Sequence, residues 1–209
     1  MMKKILFTAV LFSVLTTANA QHEFGLLAGI NATTTASGRV YRSDNYGWGI
    51  GWYAGGAYQW NISNQWALQP QLVFSYETNG VSPHNQWGLF SSRYALGIPV
   101  EIAYQMPLSS TYTLSVSAGP YILCAVYGKR GDLLYNVDAD GGWHKVGVTT
   151  TSWKSSVEFG NRIDYGVQGG VSLRHRHLMY SLKCKYGFRQ TYITGGNLLS
   201  FSLGASYFF

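Results

Sequence analysis

The sequence predicts an all-β chain, an eight-stranded antiparallel transmembrane β-barrel of the outer-membrane type with both termini on the periplasmic side. Three observations predict this fold class. The 209-residue chain has 11% charged and 16% aromatic residues and a mean hydropathy of −0.03, whereas soluble domains have about 25% charged residues. Polar and apolar residues alternate along eight segments. Short and long connections alternate between those segments, as they do in outer-membrane barrels.

The composition also excludes two classes of protein. A disordered chain would be rich in charge and poor in aromatic residues, which is the opposite of this chain with its 16 Tyr, 10 Phe and 7 Trp. A helical membrane protein needs runs of about 20 apolar residues, and none follows the first 20 residues. What remains is a Gly- and Tyr-rich β-protein whose surface does not need to be charged.

The first segment, residues 1–20, is predicted to be a cleaved signal peptide. Lys3 and Lys4 form a positive start, an apolar stretch follows, and Ala18 and Ala20 form an A-x-A signal-peptidase site. An uncleaved membrane anchor is the alternative, but the apolar stretch is too short for a comfortable span. Removing the two lysines lowers the formal net charge from +6 to +4.

The remaining chain, 21–209, is predicted to form one outer-membrane barrel domain. The every-second-residue pattern of a two-faced strand recurs along it eight times. The predicted strands are 23–31, 48–60, 66–77, 96–106, 112–126, 163–174, 178–189 and 199–209. In the last strand, for example, Phe201 and Leu203 share one face and Ser200 and Ser202 the other.

The apolar face of these strands is predicted to contact lipid. The polar faces carry mostly Ser, Gly, Gln and Ala, and aromatic pairs such as Trp52 and Trp60, or Tyr180 and Phe188, stand near the strand ends. A lipid-facing band with aromatic girdles has this pattern. A soluble lipocalin-like barrel is the alternative, although its water-facing side would carry more charge.

The connections between the strands fall into two groups. Those expected to be short and periplasmic are 61–65, 107–111 and 175–177, and those expected to be long and extracellular are 32–47, 78–90, 128–161 and 190–197. With eight strands, both termini fall on the side of the short turns.

The C-terminus carries a predicted assembly signal. Ser202, Gly204, Tyr207 and Phe209 occupy the polar, glycine and two aromatic positions of the outer-membrane sorting signal. A free end strand with an aromatic face can pair with the barrel-assembly machinery by β-augmentation. The machinery is therefore an expected partner during biogenesis.

Several segments resemble the PorT-like outer-membrane β-barrel family common in Bacteroidetes. They are EFGLLAGIN (23–31), LQPQLVFSY (68–76), GIPVEIAYQ (97–105), SAGPYILCA (117–125) and SFSLGASYFF (200–209). The resemblance implies an eight-stranded antiparallel barrel in the outer membrane. The family's namesake serves a protein-secretion pathway, a role that does not carry over to every member.

Pro70, Pro99 and Pro120 lie inside three of the predicted strands. Proline cannot donate to a strand ladder and is normally confined to edges or bulges. The resemblance implies that the family accepts proline here. We expect local bulges that curve the wall.

The charged and amide residues of the polar faces are the candidate site. Eight-stranded barrels are filled by their own side chains, and charges inside a membrane protein are expected to be paired. The predicted lumen network comprises Gln71, Glu101, Asp164, Lys183 and Lys185, with Glu101 paired with Lys183 or Lys185. A structural network is favoured over an ion or proton path or a gate.

Other candidate sites are weaker, and no cofactor, metal or catalytic residue is predicted. The segment 136–141 resembles the start of a calcium loop, but position twelve is Gly147 and not Glu. The basic turn 174–177 is interpreted as solvated, with contact to anionic lipid or a metal as alternatives. Cys124 and Cys184 lie on strands that are not neighbours, so no disulfide is expected.

The function predicted from the sequence is non-enzymatic. The chain is expected to be a monomeric barrel in outer-membrane lipid, with a plugged lumen and a structural or surface-interaction role through loops, chiefly 128–161. The positive charge forms no basic stripe, so nucleic acid is not an expected partner. An accessory of an envelope protein-secretion system is one alternative, and a narrow pore for ions or small solutes is another.

Overall fold

A computed structural model describes residues 22–36, 46–81, 88–137, 143–152, 162–190 and 197–209. These residues form ten β-strands. They are β1 (His22–Ala36), β2 (Tyr46–Gly47), β3 (Gly49–Asn61), β4 (Trp66–Val81), β5 (Gly88–Pro107), β6 (Tyr112–Val137), β7 (Trp143–Ser152), β8 (Ile163–His175), β9 (Leu178–Gln190) and β10 (Asn197–Phe208). The predicted signal peptide lies outside the described residues. No helix in the described ranges is long and apolar enough to cross a membrane.

Eight of the strands close into an antiparallel barrel, which confirms the prediction of an all-β, eight-stranded barrel. The order around the wall is β1, β3, β4, β5, β6, β8, β9 and β10. The ladder between β1 and β10, from Gly25 opposite Phe208 to Ala36 opposite Asn197, closes the ring. Closure leaves no unpaired strand edge within the wall, a requirement for any sheet that lipid surrounds.

The two faces of the wall are sorted as the sequence pattern predicts. Leu26, Leu182 and Tyr180 point outward and remain 62%, 59% and 54% exposed, whereas Glu101 is 0% exposed inside. The barrel therefore carries its apolar residues on the outside and most of its polar residues within. This is the arrangement of a protein whose solvent is hydrocarbon.

The two ends of the barrel differ in their connections. At what we call the short-turn end lie the tight turns 62–65, 108–111 and 176–177 together with the described chain ends His22 and Phe209. The turn after β8 contains Arg176 at a φ of 55°, a left-handed conformation that is uncommon for a residue with a side chain. The opposite end, where the longer connections lie, is called the long-loop end.

The prediction of a loop over 128–161 is wrong for much of its length. β6 continues to Val137 and pairs with β7, from Lys129 opposite Ser152 to Val137 opposite Trp143. The strand pattern is weak here because a strand outside the membrane needs no apolar outer face, so the alternation that lipid imposes is missing. For the same reason β5 begins at Gly88 and not near residue 96.

The prediction of bulges at the three prolines is also wrong. The ladder register is the same on both sides of each proline, and the shifts that do occur lie elsewhere, at Tyr94/Ala95 for example. Instead, pairs are missing from three successive ladders, opposite Pro70 between β3 and β4, opposite Pro99 between β4 and β5, and opposite Pro120 between β5 and β6. The missing proline N–H groups leave gaps in the ladders without inserting a residue.

One row of register partners crosses the closing ladder. Gly204 of β10 lies opposite Gly29 of β1, which lies opposite Tyr53 of β3. A Cβ atom at Gly204 would lie 2.0 Å from Tyr53 Oη and 2.9 Å from Ala28 O, and one at Gly29 would lie 2.3 Å from Leu203 O. The tyrosine ring therefore lies across two residues that have no side chain, in space that only glycine leaves open.

We predict that Gly204→Ala destabilises the barrel by about 1–3 kcal/mol, the usual cost of overpacking. The loss should shrink in a Tyr53→Leu background, because the clashing ring is then absent. Urea unfolding in phospholipid vesicles, followed by tryptophan fluorescence, measures both free energies. Gly56→Ala is the matched control, since a Cβ there meets nothing nearer than Gly25 O at 3.9 Å. Equal free energies for Gly204→Ala and Gly56→Ala would contradict the prediction.

Candidate functional site

The first half of the lumen site is centred on Glu101, which β5 points inward between two outward neighbours. Lys183 of β9 lies across the lumen with Nζ 2.7 Å from Glu101 Oε1. Ser117 of β6 donates to Oε2 at 2.6 Å, and the side-chain amide of Gln168 on β8 donates to Oε1. Both oxygens of the fully buried carboxylate are therefore satisfied, which a buried charge requires.

The second half lies nearer the long-loop end and contains four charges. Glu77 of β4 accepts from Arg93 of β5, with Nη2 2.6 Å from Oε2, and also pairs with Lys185 of β9. Arg93 Nη2 in turn lies 3.2 Å from Asp164 Oδ2 on β8. Tyr121 Oη of β6 lies 3.4 Å from the same oxygen, and Lys185 Nζ lies 5.4 Å from the Tyr121 ring centroid. One connected cluster thus spans the lumen.

The two halves together balance their charge. Three carboxylates, those of Glu77, Glu101 and Asp164, face the three cations of Arg93, Lys183 and Lys185. The effective dielectric constant inside a protein is lower than that of water, so an unbalanced charge here would cost several kcal/mol. The arrangement can hold the lumen closed electrostatically, because every cation has a carboxylate within reach.

The structure brings together most of the residues that the sequence analysis placed in the network. Glu101 contacts Lys183, whereas Lys185 contacts Glu77 and not Glu101. Asp164 joins the network through Arg93. Gln71 lines the central cavity, but its side chain makes no hydrogen bond to another described residue.

Glu77 and Arg93 belong to the network but are absent from the set predicted from the sequence. Glu77 is the last residue of the predicted strand 66–77, but it is not among the residues predicted to be paired. Arg93 lies before the predicted start of its strand, which was placed at residue 96. Extending the alternation backward from Glu101 in steps of two reaches position 93, so this signal was available.

The short-turn end of the lumen is filled differently, by amides and one ring. Gln69 Nε2 donates to Gln59 Oε1 at 2.8 Å, and Gln59 Nε2 donates to Asn61 Oδ1 at 2.9 Å. Phe208 is 1% exposed and lies beneath the guanidinium of Arg174, 5.2 Å from Cζ to the ring centroid. Arg174 is itself paired with Glu23 at 2.5 Å.

Between these two fillings lies a small cavity. Its volume is about 80 Å³, and its lining includes Leu27, Tyr53, Val73, Met179 and Phe208. Such a space holds a few water molecules and is far smaller than the aqueous channel of a porin.

The four residues of the predicted assembly signal divide between the two faces of β10. Ser202 lines the central cavity, and Gly204 lies against Tyr53. Tyr207 and Phe209 face outward at the short-turn end, 46% and 71% exposed. The aromatic positions of the signal are therefore on the lipid-facing side.

The remaining candidates are dispersed. Cys124 and Cys184 are free thiols on the outer face. Within the basic turn, His177 Nδ1 bonds to Phe208 O at 3.0 Å and His175 stacks on Tyr112 with ring centroids 4.6 Å apart. No group of three or more potential metal-ligating side chains occurs in the part of the chain that the structure describes.

Removing the central carboxylate tests the network. We predict that Glu101→Gln lowers the free energy of unfolding by about 3–5 kcal/mol, because Lys183 then stays buried without a counter-charge. The double variant Glu101→Gln/Lys183→Met should recover much of this loss in vesicle unfolding experiments. Glu23→Gln is the matched control at the rim, where both partners keep contact with water, and should cost less. Additive losses in the double variant would contradict a direct pair.

Comparisons with known proteins place this geometry in context. The family model described as outer membrane protein beta-barrel domain matches residues 18–192. Among solved structures, Ail of Yersinia pestis aligns at 11% identity and a TM-score of 0.47, covering 90% of this chain and 99% of Ail. No curated protein sequence matches the chain.

Two further solved structures are similar to the chain. The outer membrane enzyme PagL aligns at 11% identity and a TM-score of 0.48, covering 86% of this chain and 98% of PagL. OprG from Pseudomonas aeruginosa aligns at 9% identity and 0.45, covering 90% and 95%.

Proposed function

Because the chain belongs to the outer membrane protein β-barrel domain family and is therefore an outer-membrane β-barrel, we propose that it is a surface-interaction protein. In this proposal the barrel is an anchor with a plugged lumen, and the strands at the long-loop end project outside the cell. The short turns and both termini face the periplasm, as in outer-membrane barrels generally.

The observation that carries the proposal is the sheet at the long-loop end. β6 runs 26 residues, well beyond the length of about 9–11 residues that spans a membrane, and β7 returns along its outer part. Within the described residues β7 pairs with β6 alone. Natural proteins cover or blunt exposed strand edges unless an edge is used for binding, and an extended peptide can add to such an edge by β-augmentation.

The ion pairs and the buried ring in the lumen support a role as a membrane anchor more than a role as a pore. Its charges are paired across the barrel, and Phe208 closes the short-turn end. A conducting path would have to break several ion pairs at once. A role as a narrow pore for ions or small solutes is therefore the weaker candidate.

The proposal also assigns no catalytic activity. His22, His175 and His177 stack on aromatic rings at the short-turn end. Within the described residues, none of them is hydrogen-bonded to a serine, threonine or carboxylate side chain, which is the arrangement that activates a nucleophile. Outer-membrane lipid, the barrel-assembly machinery and a surface partner are the proposed partners of a monomer.

Proline substitutions in β7 test recognition through the strand edge. Adjacent residues of a strand direct their N–H groups to opposite sides. One of the two variants Thr149→Pro and Thr150→Pro therefore removes a backbone hydrogen bond to β6. The other removes an N–H group that points away from β6, toward the free edge. We predict that the variant that loses the outward donor no longer photo-crosslinks to a surface partner at β7. The β6–β7 hairpin should stay intact in that variant, as hydrogen exchange of the β6 amides reports.

Each variant is the matched control of the other. Crosslinking that survives both substitutions would contradict edge recognition. Crosslinks to secretion components at turns 108–111 or 176–177, in place of β7, would instead favour the PorT-like accessory role that the sequence resemblance suggests.

Planar-bilayer recording tests the plug. We predict that the wild-type barrel shows no steady openings, whereas Glu77→Ala/Arg93→Ala, which removes one charge of each sign, admits ions because the cluster across the lumen is broken. Ala118→Leu, on the outer face, is the control and should stay closed. Steady openings of the wild-type protein would contradict the plug and favour the pore.

A further inference from the structure

A groove of about 470 Å³ indents the outer wall in the half nearer the short-turn end. Its side walls are the outward residues of β1, β3 and β4 and the last residue of the chain. The lining side chains are Phe24, Leu26, Tyr58, Pro70, Leu72 and Phe209. The volume falls within the range of small-molecule sites, about 300–1,000 Å³.

The groove exists because of one glycine in an otherwise bulky row. Gly56 is the register partner of Leu26 on one side and of Leu72 on the other. The two leucines are 62% and 52% exposed. A Cβ at Gly56 would meet nothing nearer than Gly25 O at 3.9 Å, so packing within the protein does not require glycine at this position.

The wall behind the groove is also unusual. The β3–β4 ladder has no pair between Ala57–Gln71 and Trp60–Leu68, opposite Pro70. Ala57 and Gln71 line both this groove and the central lumen cavity. Because Gly56 has no side chain, an acyl chain lying over it can approach the backbone more closely than one lying over its register partners Leu26 and Leu72.

The mouth of the groove is amphipathic. Tyr58 Oη is hydrogen-bonded to His22 Nδ1 at 2.6 Å, and the His22 ring stacks on Trp60 with centroids 6.1 Å apart. Tyrosine and tryptophan at the end of a lipid-facing wall mark the membrane interface. Moving away from this mouth, the groove passes Leu26 and Leu72 toward the middle of the membrane.

We propose that this groove is a specific binding site for one acyl chain of a phospholipid from the leaflet at the short-turn end. The chain lies over Gly56 between the two leucines, and the headgroup region reaches the cluster of His22, Tyr58 and Trp60. The groove is continuous with the lipid-facing surface of an outer-membrane protein, so lipid is the occupant in contact with it. A second copy of the chain would need a broad complementary face of about 20–30 residues, whereas ten residues line the groove.

Photo-crosslinking with a phospholipid that carries a diazirine on its acyl chain tests the site. The full-length barrel is folded into vesicles containing the probe, irradiated and mapped by mass spectrometry. We expect labelling concentrated on Leu26, Tyr58 and Leu72. Gly56→Leu should fill the groove and remove this concentration, whereas Ala118→Leu, which adds the same side chain elsewhere on the outer face, should leave it unchanged.

Heat-modifiable gel mobility shows that each variant is folded, and Gly56→Val provides a smaller filling residue if leucine impairs folding. Labelling spread over the outward residues in proportion to their exposure would overturn the proposal. Labelling at the groove that persists in both filling variants would overturn it as well. Neither result depends on the role of β7, so the site can fail while the surface-interaction proposal stands.

Discussion

The pairing of the inward-facing charges across the barrel lumen is the constraint on which the rest of the structure depends. A wall of eight strands leaves little room for water, so each inward charge needs a partner on another strand. Glu101 and Lys183 meet from β5 and β9, and Glu77 joins β4 to β5 and β9 through Arg93 and Lys185. These pairs tie together opposite sides of the barrel, so they limit how far the wall can deform.

Contact with lipid determines how much of the fold and of the lumen network could be predicted from the sequence. Hydrocarbon on one side of each strand imposes a strict alternation, so all eight wall strands and the inward direction of Glu101 and Lys183 are readable from parity alone. Partner choice is not readable, because it depends on the stagger between strands. The pairing of Lys185 with Glu77 therefore cannot be predicted by counting residues from the adjacent turns.

The alternation of apolar and polar residues is weaker where no hydrocarbon contacts the strand. β6 is longer than the stretch that spans a membrane, and the sequence of its outer part and of β7 lacks the strict alternation that hydrocarbon imposes. The prolines mislead for a different reason. Proline in a water-exposed sheet indicates an edge or bulge, but here Pro70, Pro99 and Pro120 sit in a closed wall whose register does not change across them.

The row formed by Gly204, Gly29 and Tyr53 has a consequence for how the ring of strands closes. β1 and β10 are the first and last strands, so their pairing joins the most distant parts of the chain and has the highest contact order. A shift of two residues would keep every side chain on its proper face but would bring Ser202 or Ser206 beneath the tyrosine ring. The glycines thus disfavour both two-residue shifts of the β1–β10 ladder, and with them the barrels of different shear that such shifts would form.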